Sequence, residues 1–109
     1  MIYDMRTYDI APGKVTEDMA AAGEIALPIR KDYDIKLGGW YHSEIGRLNQ
    51  VVHIWAYNDL DHLRAAATAV RNDTRWINDY VPRVRELVIG QADQIMLEAD
   101  FSPNPTAGG

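Results

Sequence analysis

Between Leu37 and Tyr57 the side chains change character with a period of two, the repeat of a β-strand. Read as two strands around a turn at Gly46–Asn49, one set of positions holds Trp40, His42 and Glu44, then Val51, His53, Trp55 and Tyr57. The opposite set on the second strand is Val52, Ile54 and Ala56, all apolar. A sheet with one oily face and one face of aromatics and imidazoles needs two different covers. The second face is too apolar to leave in water and too polar for an ordinary core, which points to a pocket, a partner, or both.

The flanking segments supply the rest of a small fold. Ile2 to Ile10 alternates as a strand, and Ala11-Pro12-Gly13-Lys14 marks a turn. Val15, Met19, Ala22, Ala26 and Ile29 recur at spacings of four and three, a single apolar helix stripe, and Pro28 is expected to end or kink that helix. Gly38-Gly39 marks a bulge or close packing. After the hairpin, Asn58 or Asp59 caps a helix whose buried stripe is Leu60, Leu63, Ala67 and Val70. Asp73 then caps a further turn carrying Trp76, Ile77, Tyr80 and Val84. A last strand lies within 87–97. The order strand, helix, strand, strand, helix, strand is the ferredoxin-like βαββαβ plan, an α+β fold with a four-stranded antiparallel sheet. The domain spans 1–101, and 102–109 reads as a flexible C-terminal tail.

Charge and composition narrow the functional classes. A net charge of −5 over 109 residues shows no basic face for nucleic acid. There is no apolar run long enough to cross a membrane and no signal-peptide layout at Met1–Arg6, so a cytoplasmic location is expected. With no cysteine there is neither a disulfide nor a thiolate site. Only His42 and His53 could converge, too few donors for a closed zinc centre, so no metal and no cofactor are expected.

Two helices cover one face of a four-stranded sheet. The apolar set Val52, Ile54 and Ala56, with Tyr3 and Met5, is the expected helix-facing side. The other face, with Arg6, Tyr8, Trp40, His42, His53, Trp55 and Tyr57, is then left to a second copy of the chain, giving a homodimer.

These residues resemble a known family. Ile2–Tyr8 followed by Pro12-Gly13-Lys14, Leu27–Lys31, the central run Glu44–Tyr57 and Phe101-Ser102-Pro103 are similar to NIPSNAP proteins. The resemblance implies a dimeric α+β barrel. It implies no common reaction and no shared catalytic set. The motif positions present are Arg6, Tyr8, Glu44, Asn49, His53, Trp55 and Tyr57.

His53, mid-strand among apolar neighbours, is the leading candidate for acid–base work; the alternative is a core histidine held by hydrogen bonds. His42 is its possible partner, or a residue at a pocket rim. Arg6 could hold a carboxylate or enolate oxygen, or pair with Glu44 or Asp4. Tyr8, Trp40, Trp55 and Tyr57 could wall a flat organic ligand, or fill an interface. Trp76 and Tyr80 read as packing, and His62 as surface. The leading expectation is a homodimer binding a small aromatic or apolar molecule, with cofactor-independent isomerase, cyclase or monooxygenase chemistry if catalytic. The alternatives are a non-catalytic binding or interaction module and a haem-binding protein in which His53 is the axial ligand.

Overall fold

A computed structural model describes residues 1–103. The tail expected over 102–109 falls mostly outside these described residues. The strands are β1 (Ile2–Ile10), β2 (Lys36–His42), β3 (Gln50–Tyr57) and β4 (Val88–Met96), in the order β2-β3-β1-β4. All three neighbouring pairs are antiparallel. With a helical crossover after β1 and another after β3, this is the ferredoxin-like arrangement the alternation predicts.

Each crossover helix contains the same irregularity. The first runs as α1 (Val15–Ala21), a π-helical turn (Ala22–Ala26) and α2 (Leu27–Asp32). The second comprises α3 (Leu60–Asn72), a second π-helical turn (Trp76–Tyr80) and α4 (Val81–Val84). The Leu27 amide donates to the Ala22 carbonyl, and the Val81 amide to the Trp76 carbonyl, so each turn closes over five residues instead of four. A proline follows at once, Pro28 or Pro82. Proline lacks an amide hydrogen and its ring crowds the carbonyl four residues back. The wider turn accommodates both defects, so Pro28 neither ends nor breaks the first helix. The two π turns pack against each other.

The capping expected at the second crossover is present. Asp59 Oδ1 accepts from the His62 amide at 2.8 Å, and His62 Nδ1 accepts from the Asn58 amide at 3.0 Å. The other His62 nitrogen meets the Tyr33 carbonyl at 3.1 Å, tying the two crossovers together. His62 is therefore a structural clamp and not merely a surface residue. Asp73 likewise accepts from the Arg75 amide at 2.9 Å.

The faces of the sheet are the reverse of the expectation. The helices cover Ile2, Trp55 and Tyr57, which form one cluster with Ile29, Ile35, Ala66 and Val70. Val51 and His53 are also buried on this side. Val52, Ile54 and Met5 point away from the helices and belong to none of the buried clusters among the described residues. The reason is volume. Ala66 packs in the cluster with Trp55 and Tyr57, while Ala21, Ala22 and Ala26 pack with Tyr80 and Val84 of the second crossover, and so thin a helix surface needs large side chains opposite it. The aromatic set fills that gap; the slim Val-Ile-Ala set does not.

β2 carries the expected bulge. The register against β3 shifts between Leu37 and Gly39, so that both Leu37 and Trp40 face the helices. A side chain at Gly38 would meet Ile54 Cγ2 and its carbonyl oxygen at 3.3 Å, so the glycine permits the close approach of the two strands.

Candidate functional site

Helix-to-sheet packing is incomplete at its centre. A cavity of about 440 Å³ lies between the sheet and the two crossovers. Of the residues singled out in the sequence, Arg6, Tyr8, Trp40, His53, Trp55 and Tyr57 all line it. They share one chamber inside a single chain, not an interior formed between two chains. His42 pairs with Val51 at the end of β2, where it is exposed and outside the cavity lining. Glu44 is exposed in the loop beyond and is not the partner of Arg6.

His53 sits at the middle of β3, opposite Arg6 on one side and Trp40 on the other. It is 2% exposed. The Trp40 ring stacks on the imidazole at 3.9 Å and 13°, and Tyr8 meets it edge-on at 4.7 Å. The Trp55 indole Nε1–H donates to His53 Nδ1 at 2.7 Å. An indole N–H can only donate, so Nδ1 must carry the lone pair and the proton of the neutral ring must be on Nε2. Nε2 has no partner among the described residues. Burial, with Arg30 and Arg6 nearby, pushes the imidazole down to about 3. His53 is thus a neutral N–H donor. A general base would need a free ring lone pair, and the only one is occupied by Trp55. A haem ligand would need a lone pair at Nε2, which holds the proton, so the residues present do not fit axial ligation.

Arg6 is already compensated. Its Nε binds Asp4 Oδ2 at 2.9 Å, one terminal nitrogen reaches the Tyr8 hydroxyl at 2.8 Å, and the other lies 3.6 Å from Asp93. Hydrogen bonding to Asp4, together with burial, pushes the Asp93 carboxyl up to about 6. The pair with Asp4 weighed in the sequence is what forms.

Arg30 escaped the sequence reading. It lies on α2, is 7% exposed, and places its guanidinium carbon 4.4 Å from the Trp55 ring centre and 5.3 Å from that of Trp76. Its one hydrogen bond is a long one, 3.5 Å to the Tyr57 hydroxyl, and its Nε is unpartnered among the described residues. Burial lowers its pKa. Trp76 and Tyr80, read as packing, bring the second π turn to the cavity wall. Arg71 and Arg85, both exposed, stand among the lining residues at its solvent side. A charged residue one step from the apolar stripe after Pro28 was the available signal for Arg30. It is legible only if the helix runs through the proline.

The geometry agrees with the resemblance noted above. The NIPSNAP family profile matches residues 3–103. This chain belongs to the NIPSNAP family. Protein NipSnap homolog 2 of Mus musculus is 31% identical over 105 residues, covering 94% of this chain and 35% of its own length. The chain therefore spans about a third of the length of that curated relative. A solved NIPSNAP family protein with unknown function from Agrobacterium tumefaciens superposes with a TM-score of 0.88 at 33% identity, covering 95% of this chain and 93% of that one. A putative antibiotic biosynthesis monooxygenase from Nitrosomonas europaea shares the fold at TM-score 0.68 and 10% identity, covering 90% of this chain and 98% of that one. At that identity the likeness is one of fold alone.

Proposed function

We propose that this NIPSNAP chain binds a small, flat organic molecule in the chamber between sheet and helices, and works as a homodimer joined through the outer sheet face. The chamber carries the reading: it is about 440 Å³, lined by Trp40, Trp55 and Trp76, and bordered by Arg30, whose buried Nε has no partner among the described residues. Its volume is in the usual range for a small-molecule site. Among the described residues Arg30, in the lining, is buried with no ion-pair partner, and a buried charge so placed is better explained by a ligand than by packing. The dimer reading is supported by Met5, Val52 and Ile54, an apolar face that this chain's own helices leave uncovered.

Any catalysis here works by positioning and by stabilising negative charge. Arg30 supplies the positive charge, and His53, whose one lone pair is held by Trp55, does not accept a proton. Titrating the protein with a panel of planar aromatic compounds while following tryptophan emission tests the site. Binding that quenches emission and raises the melting temperature is expected. A panel that neither quenches nor stabilises leaves a filled, non-catalytic interaction module as the better account.

A further inference from the structure

The lining of the chamber is chemically one-sided. Among the described residues it includes four arginines (Arg6, Arg30, Arg71 and Arg85) and no carboxylate, in a chain whose net charge is −5. Among the described residues Arg30, Arg71 and Arg85 form no ion pair, whereas Arg6 is neutralised by Asp4. Arg30 is the unusual member, because it is buried. A buried guanidinium with no counter-charge is costly, and its flanking indoles offset only part of that cost. Two further donors without a partner among the described residues belong to lining side chains, Nε2–H of His53 and Nε1–H of Trp40, and both are covered by surrounding protein atoms. Each of these three unpartnered atoms is a nitrogen that donates and none can accept.

We infer that the chamber's ligand is a planar monoanion, an aromatic or conjugated carboxylate, whose charged end is held by Arg30. The inference rests on the reading of the chamber as a ligand site and specifies its chemistry. One charge is called for because one buried cation is left uncompensated. A flat apolar body is called for because Trp40, Trp55 and Trp76 line the chamber, two of them beside Arg30. Arg71 and Arg85 at the solvent side add an attractive field for an anion approaching an otherwise acidic protein.

The test compares two isosteres, 2-naphthoate and 2-naphthamide, by calorimetry on the intact chain at low and moderate salt. The carboxylate is expected to bind about ten- to a hundredfold more tightly, the scale of a hydrogen-bonded buried charge. Arg30→Met should abolish that preference while leaving the amide affinity within about threefold, since the ring walls remain. Arg83→Met, on an exposed arginine outside the lining, should change neither. The wild-type comparison decides the question even if Arg30→Met fails to fold. Equal binding, or tighter binding of the amide, overturns the anion assignment and leaves the ligand site standing. If neither isostere binds, nor any neutral member of the aromatic panel, both readings fall.

Discussion

His53 and Asp18 are buried titratable residues, and each makes a measurable prediction. His53 was legible as important from its place in the strand, but its role was not. The donor that fixes its tautomer, Trp55, is only two residues away, yet strand periodicity says nothing about which ring nitrogen an indole will reach. Nitrogen-detected NMR of the imidazole should show the proton on Nε2 and no titration between about pH 5 and 8, because the folded pKa lies near 3. A titration near 6.5 would refute the assigned state. Asp18 is the counterpart on α1: it is 1% exposed, its Oδ2 is unpartnered among the described residues, and burial pushes its carboxyl up to about 6. The unfolded carboxyl titrates lower, near 3.8. Between those values the unfolded chain binds fewer protons than the folded one, so Asp18 makes stability fall as pH rises through this window. Asp18→Asn should therefore stabilise the protein by about 1–2 kcal/mol at pH 8 and by little at pH 4. Denaturant unfolding at the two pH values measures the difference.

At the scale of elements, strand order and helix positions were legible because periodicity and punctuation agree in each segment. Sidedness was not. An apolar face is an equally good surface for the chain's own helices or for a second chain, and polarity alone cannot choose. The deciding signal was on the helices, where a small residue such as Ala66 leaves space that Trp55 and Tyr57 fill. Arg30 was hidden for a related reason, since proline reads as a stop and the π turn before it has no compositional mark. The second crossover depends on its start. Asp59 and His62 satisfy two amides at the entrance to α3, and Asp59→Ala should cost about 1 kcal/mol in chemical denaturation without altering ligand binding. An unchanged denaturation midpoint would mean that Tyr33 and the helix packing alone fix this end.

For the whole molecule, the reversed sheet relocates function. The chamber lies within one chain and the proposed dimer uses the outer face, so on that proposal ligand binding and dimerisation are separable. Ile54→Asp, on the outer face, is expected to yield a monomer by light scattering while affinity for the preferred planar ligand falls by less than about threefold. Joint loss of the dimer and of binding in a folded variant would show that the two are coupled.

The paired π turns have a consequence for chain length. Each holds one residue more than a regular turn, so each crossover carries slack of one residue. In the first crossover that slack determines which residues face inward. The wide turn sets the helix back by nearly one position, carrying Arg30 to the buried side beside Ile29 and leaving Pro28 exposed. Removing Gly23, an exposed residue within the turn, would let the helix close regularly with the same residues still facing in. Adding a residue there would rotate the cationic end of the helix out of the chamber. Relatives that retain a chamber arginine on this helix should therefore vary in length at this turn by loss and not by gain.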